Sequence, residues 1–150
     1  MFEPGFKLEE DQLILRFADD ADAPFAVDLF EYPLSKEQVQ TAIQRFRSLY
    51  TAKESIVLGI YAAGILTGII EAYRFFGNHC EIGYRIKPAY RRRGFATKAV
   101  AMMTAYLCEQ GYDCIIAKIA DDNDASRRVL LANGYHEVDP GRFEFRKLED

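Results

Sequence analysis

Apolar positions recur along the chain in two rhythms. Val39, Ile43, Phe46 and Tyr50 fall three and four apart, as do Ala96, Val100, Met103 and Leu107; each set predicts one buried stripe of a helix. Elsewhere apolar residues alternate or run together between turn residues, which predicts strands over 13–17, 55–61, 65–75, 80–86, 115–119, 135–138 and 142–148. The punctuation agrees with this division. Ser35 and Gln38 have the spacing of a capping box before the first stripe. Asp19 or Asp20 caps a short helix running toward Phe30, with Pro24 in its first turn, and Tyr32-Pro33 then breaks the chain. Ala62-Ala63-Gly64, Gly77-Asn78 and Asp139-Pro140-Gly141 read as hairpin turns, and Gly111 as a helix end. Asn123 or Asp124 opens a further helix that Asn133-Gly134 closes, whereas residues 1–11 show no periodicity. The predicted order is β-α-α-β-β-β-α-β-α-β-β, an α/β (α+β) chain without internal repeat, linker or low-complexity segment.

Composition narrows the picture. A chain of 150 residues with 49% hydrophobic content is one domain with a real core, so residues 1–150 are read as a single unit. The uncharged run over 56–70 is shorter than the roughly 20 residues of a spanning helix, and Gly59, Gly64 and Gly68 interrupt it; a hairpin explains it better than a membrane segment. Cys80, Cys108 and Cys114 have neither paired nor metal-type spacing and read as reduced, packed thiols; no metal site is expected. The N-terminus lacks the basic and apolar regions of a signal peptide, so the expected location is cytoplasmic.

Charge is distributed unevenly. The net value is −4, yet Arg85, Lys87, Arg91, Arg92 and Arg93 crowd into residues 85–93 with no acid among them. An acidic chain with one concentrated basic turn suits a local phosphate ligand better than a nucleic-acid-binding face. That turn lies between the strand ending at Ile86 and the helix beginning at Ala96, and it contains Gly94. A helix start presents unpaired N–H groups and the positive end of the dipole, and glycine lets a ligand approach the backbone closely. Such an element binds anions. A P-loop or dinucleotide reading fails, because neither Gly-Lys-Ser/Thr nor Gly-x-Gly-x-x-Gly occurs.

The stretch Arg91-Arg92-Arg93-Gly94-Phe95-Ala96 resembles the Arg/Gln-x-x-Gly-x-Gly/Ala loop of the GNAT superfamily of acetyl-CoA-dependent N-acetyltransferases. Glu81-Ile82-Gly83-Tyr84 with Pro88 and Tyr90 before it, and the run from Asp121 to Leu130 ending in Asn133-Gly134-Tyr135 after it, extend the resemblance to the branch of ribosomal-protein N-terminal acetyltransferases. It is clearest over residues 78–138. The resemblance implies a GNAT acyl-CoA N-acyltransferase fold, a mixed but mostly antiparallel sheet flanked by helices. The implied reaction moves an acetyl group from acetyl-CoA to a primary amine by direct attack in a ternary complex, with no metal. The implied partner is an amine acceptor, either a protein N-terminus or a small molecule, with no nucleic acid or membrane; homodimerisation stays open.

The resemblance also implies roles. Backbone N–H groups from Arg91 to Ala96 (Arg91, Arg92, Arg93, Gly94, Phe95, Ala96), aided by arginine side chains, would hold the pyrophosphate. The strand edge at Tyr84, Arg85 and Ile86 would pair with the pantetheine amides through its main chain, leaving Tyr84 and Ile86 side chains for the core. Asn123 matches an asparagine near the pantetheine and Ser126 adds a hydrogen bond, although both residue types are also common helix caps. Glu81 matches a position where some GNAT enzymes place the base that takes the amine proton; its alternative is an ion pair with Arg85 or a lysine. Leu130 stands where many members carry a tyrosine that protonates the departing thiolate, and leucine cannot do so. That departure keeps open a non-catalytic acyl-CoA-binding or regulatory module.

Overall fold

The computed structural model describes residues 6–29 and 34–148. Its elements are β1 (Lys7–Glu10), β2 (Leu13–Arg16), α1 (Ala23–Ala26), α2 (Lys36–Thr51), β3 (Ser55–Ala62), β4 (Ile65–Phe76), β5 (His79–Ile86), α3 (Phe95–Glu109), β6 (Cys114–Lys118), α4 (Asp124–Ala132), β7 (His136–Asp139) and β8 (Arg142–Arg146). The strands form one 8-stranded sheet in the order β1-β2-β3-β4-β5-β6-β8-β7. This is the mixed, mostly antiparallel sheet that the resemblance implied. Strand β1 is the one addition. Its side chains are mostly exposed, so no apolar rhythm marks it, and pairing with β2 makes it a strand. The break expected at Tyr32-Pro33, and Phe30 before it, lie outside the described residues.

Local signals placed the helices correctly. The Ser35 hydroxyl accepts from the Gln38 N–H while Gln38 accepts from the Ser35 N–H, so two otherwise orphaned donors are satisfied at the start of α2. Asp19 and Asp22 make the same reciprocal pair before α1. Asn123 caps α4 by accepting from the Ser126 N–H.

The sheet has two unlike faces. One packs Leu15, Leu58, Ile60, Ile70 and Ile82 against Val100, Met103 and Leu107 of α3 and Leu130 of α4. The other is covered only in part, where Val39 and Ile43 of α2 and the residues around α1 sit on Tyr61, Leu66 and Ile69. Beyond α1 and α2 this second face carries charge.

Strands β5 and β6 make the single parallel pairing among antiparallel neighbours. They are in register from His79↔Cys114 to Ile82↔Ala117 and then part. From Gly83 onward β5 keeps β4 on one side, through Ile70↔Tyr84 and Gly68↔Ile86, and has no strand on the other. The sheet therefore opens as a fork beside Tyr84.

Candidate active site

The chain leaves β5 at Ile86, makes one 3-10 turn over Pro88–Tyr90, and enters α3 through Gly94, which sits in the left-handed region at φ 82°. The first backbone bond of α3 runs from the Lys98 N–H to the Gly94 carbonyl, at 3.1 Å. The N–H groups of Arg92, Arg93, Gly94, Phe95, Ala96 and Thr97 have no acceptor among the described residues. A Cβ on Gly94 would meet no protein atom within 4 Å, so the space above the glycine is open. Arg91 departs from the expected set. Its N–H is spent on the Pro88 carbonyl and its Nε donates to the Ile86 carbonyl at 3.1 Å, so Arg91 braces the turn.

Above these donors lies a cleft of about 920 Å³ within the fork. Tyr84, Arg85 and Ile86 form one wall, and Arg91, Arg92, Gly94, Phe95 and Ala96 form the floor. The opposite wall comes from α4, with Asn123 and Ser126 at its start. Arg93 is absent from the lining, and its guanidinium lies 5.4 Å from the Tyr90 ring centroid. Lys87 also leaves the basic cluster: it is buried, donates to the Phe25 carbonyl and pairs with Asp28 at 3.5 Å, which ties this turn to α1. Arg128 contributes a cation that the sequence did not single out. A signal existed, since Ala125, Arg128, Val129 and Ala132 recur at i, i+3, i+4 and i+7 and make the cleft-facing stripe of α4.

Polar groups of the cleft already have local duties. The Asn123 side-chain oxygen caps α4, as its alternative reading had it, while the residue still borders the cleft. Tyr84 is not wholly a core residue: its hydroxyl reaches across to the Ser126 carbonyl at 3.4 Å, and burial raises its pKa. A phenol held protonated therefore sits in the fork. Leu130 is fully buried under α4 and does not border the cleft.

Glu81 lies away from the cleft. It is 7% exposed on the other face of the sheet, where Arg74 Nη1 contacts both its oxygens at 3.1 Å and Lys118 stands at 3.4 Å. The expected partners were Arg85 or a lysine; the actual ones are Arg74 and a lysine. Arg74 arrives through a bulge in β4, where its φ is 51° and the register with β5 shifts between Tyr73 and Phe76. Such an irregularity re-aims a side chain that strict alternation would send elsewhere.

The remaining candidates are quiet. All three thiols are free, Cys80 and Cys114 are buried, and burial raises the pKa of each, Cys80 to about 12. None is set up as a thiolate nucleophile. Among the described residues no group of three or more His, Cys, Asp or Glu side chains is placed to hold a metal ion. No described helix is long and apolar enough to cross a membrane.

Comparison with known proteins agrees with this geometry. Residues 6–136 match the family model described as an acetyltransferase (GNAT) domain. The uncharacterized N-acetyltransferase YoaA of Bacillus subtilis (strain 168) is 35% identical over 144 residues, covering 85% of this chain and 81% of its own. Two solved structures share the fold. The ribosomal L7/L12 alpha-N-protein acetyltransferase RimL in complex with coenzyme A superposes with a TM-score of 0.80 at 16% identity, covering 94% of this chain and 96% of its own. The ribosomal-protein-S5-alanine acetyltransferase of Vibrio fischeri gives 0.75 at 16% identity over 97% of each chain. A match across most of the chain, a relative above 30% identity and a strand fork facing a helix start with unpaired N–H groups lead to one assignment: this protein is an acetyltransferase of the GNAT family.

Proposed function

We propose that the chain transfers the acetyl group of acetyl-CoA to a primary amine by direct attack in a ternary complex. The observation that carries the reading is the pairing of an unpartnered β5 edge with an unpartnered run of N–H groups across one cleft. The N–H groups from Arg92 to Thr97, with Arg92 and Arg128 nearby, suit a pyrophosphate. The main chain of Tyr84 to Ile86 suits the pantetheine amides, which would add to the sheet as a strand does. The thioester then lies near Gly83 and Tyr84, where the fork begins.

Positioning supplies much of such a reaction, since a held amine and thioester react as if intramolecular. The departing thiolate needs a proton that Leu130 cannot give. The Tyr84 hydroxyl serves instead, being protonated and inside the fork. Glu81, neutralised by Arg74 and Lys118, has a structural part. The acceptor is a protein N-terminus or a small amine.

Two measurements test this. Calorimetry on the intact chain should show acetyl-CoA binding, and free CoA thiol should appear when amines are added. Binding without thiol release, across peptides with free N-termini and simple amines, would instead fit the non-catalytic module that Leu130 leaves open.

A further inference from the structure

The face of the sheet opposite the cleft carries a second carboxylate. Glu71 on β4 stands directly across from Gly83 on β5, at the point where β5 loses β6 as a neighbour. Because residue 83 has no side chain, the carboxyl lies over it: a Cβ placed on Gly83 would be 3.3 Å from Glu71 Oε1 and 3.6 Å from its Cγ. On this face Val57, paired with Glu71, and Leu66 are buried, and Glu71 itself is half-buried. Among the described residues no cation or hydrogen-bond donor pairs with it, whereas Glu81, two residues before Gly83, has two cations. The titratable groups nearest it on this face are Tyr73 and Arg74 on β4, Glu81 and Arg85 on β5 and Lys118 on β6, and Val57 stands opposite it on β3. Desolvation raises the Glu71 pKa, and the charges of Glu81 and Glu71 help raise that of Tyr73.

An unpaired carboxylate is costly to keep half-buried, and nothing in the packing of β4 requires one. We propose that Glu71 receives the ammonium group of the acceptor, which enters from this face of the sheet, and takes its first proton. The inference rests on the acyl-transfer reading above and names the base within it. Loss of that proton to the carboxylate frees the nitrogen lone pair, which attacks the thioester carbonyl carbon; the C–N bond forms and the C–S bond then breaks. Sulfur leaves with the electron pair and takes the Tyr84 hydroxyl proton, which the second proton lost from nitrogen replaces. Glu71 returns the first to solvent, so one proton is released per amide made. Glycine at 83 keeps the path between carboxyl and thioester clear.

The test compares wild type with Glu71→Gln, following CoA thiol release with two probes: ethylamine, an ammonium ion at neutral pH, and hydroxylamine, which is already uncharged there. At neutral pH the variant should lose ~10²-fold with ethylamine. The loss should shrink as pH rises and free amine accumulates. Hydroxylamine turnover and acetyl-CoA affinity by calorimetry should each stay within about 2-fold, since neither draws on a base. As a second variant, Gly83→Ala should also slow ethylamine, because the new methyl displaces the carboxyl without removing it. Full ethylamine turnover by Glu71→Gln at every pH overturns the proposal, and so does an equal loss with both probes; acyl transfer itself then stands. A wild-type chain that binds acetyl-CoA yet releases thiol with neither probe nor with peptides bearing free N-termini overturns the transfer reading and the role of Glu71 together.

Discussion

Strand β5 borders two regions built on different principles. Toward α3 and α4 it offers an open edge and leads into the turn at the floor of the cleft, where the groups left without partners among the described residues are mostly main-chain. Away from them, the face around Gly83 is made of side chains: Glu71, Tyr73, Glu81, Arg74 and Lys118. Backbone recognition tolerates many sequences, provided a glycine and a helix start are present. A side-chain face changes character with each substitution. The first region therefore suits a ligand shared by a whole family, and the second suits the acceptor that distinguishes one member from another.

The sharpest way to break the first region is Gly94→Val. At φ 82° a β-branched residue is strained, and its side chain would fill the space left for the ligand. Losing two hydrogen bonds to a charged group at about 1.5–3 kcal/mol each predicts an acetyl-CoA affinity at least ~10²-fold weaker. Calorimetry on a variant whose circular dichroism matches wild type measures it; unchanged affinity would take the turn out of the cofactor site. Tyr84→Phe is gentler. It keeps the ring and the strand edge, so acetyl-CoA affinity should hold while turnover falls by roughly 10-fold, somewhat below the usual range for a positioned acid because water can substitute. Equal turnover in the two proteins would leave the thiolate to solvent.

The smaller effects separate the two carboxylates of the other face. Glu81→Gln removes an anion from between Arg74 and Lys118, both of which can rehydrate, so the loss should be about 1 kcal/mol, or roughly 2–4 °C in Tm. Glu71→Gln should behave oppositely. Burial raises the Glu71 pKa, so the folded chain binds that proton more tightly than the unfolded chain does. Stability drawn from it is present in acid and is lost as pH rises from the usual glutamate range through the folded pKa. The glutamine variant should match wild type in acid and gain a small Tm advantage toward neutrality. Thermal melts across that window check the sign, and a variant less stable at neutral pH would mean that the charge is paired after all.

Much of this molecule was legible because it is local. Ser35 and Gln38, Gly94 before the Ala96 stripe, and Asn123 before α4 are signals between residues within a few positions of one another, and their geometry follows from hydrogen bonds over one helical turn. The lining at Arg92, Gly94 and Ala96 comes from the same kind of signal, whereas the fork follows from the parting of β5 and β6, which are far apart in sequence. Other features depend on register between distant segments. Strand β1 exists through its pairing with β2, Arg74 meets Glu81 through a bulge, Arg91 braces the turn against the Ile86 carbonyl, Lys87 leaves the basic cluster for Asp28, and Glu71 gains meaning only because Gly83 stands across from it. By itself the sequence determined the order of elements from β2 onward and the family. Which carboxylate is neutralised and which lies free over the fork was decided by tertiary structure, because desolvation and ion pairing depend on neighbours that strand pairing brings together.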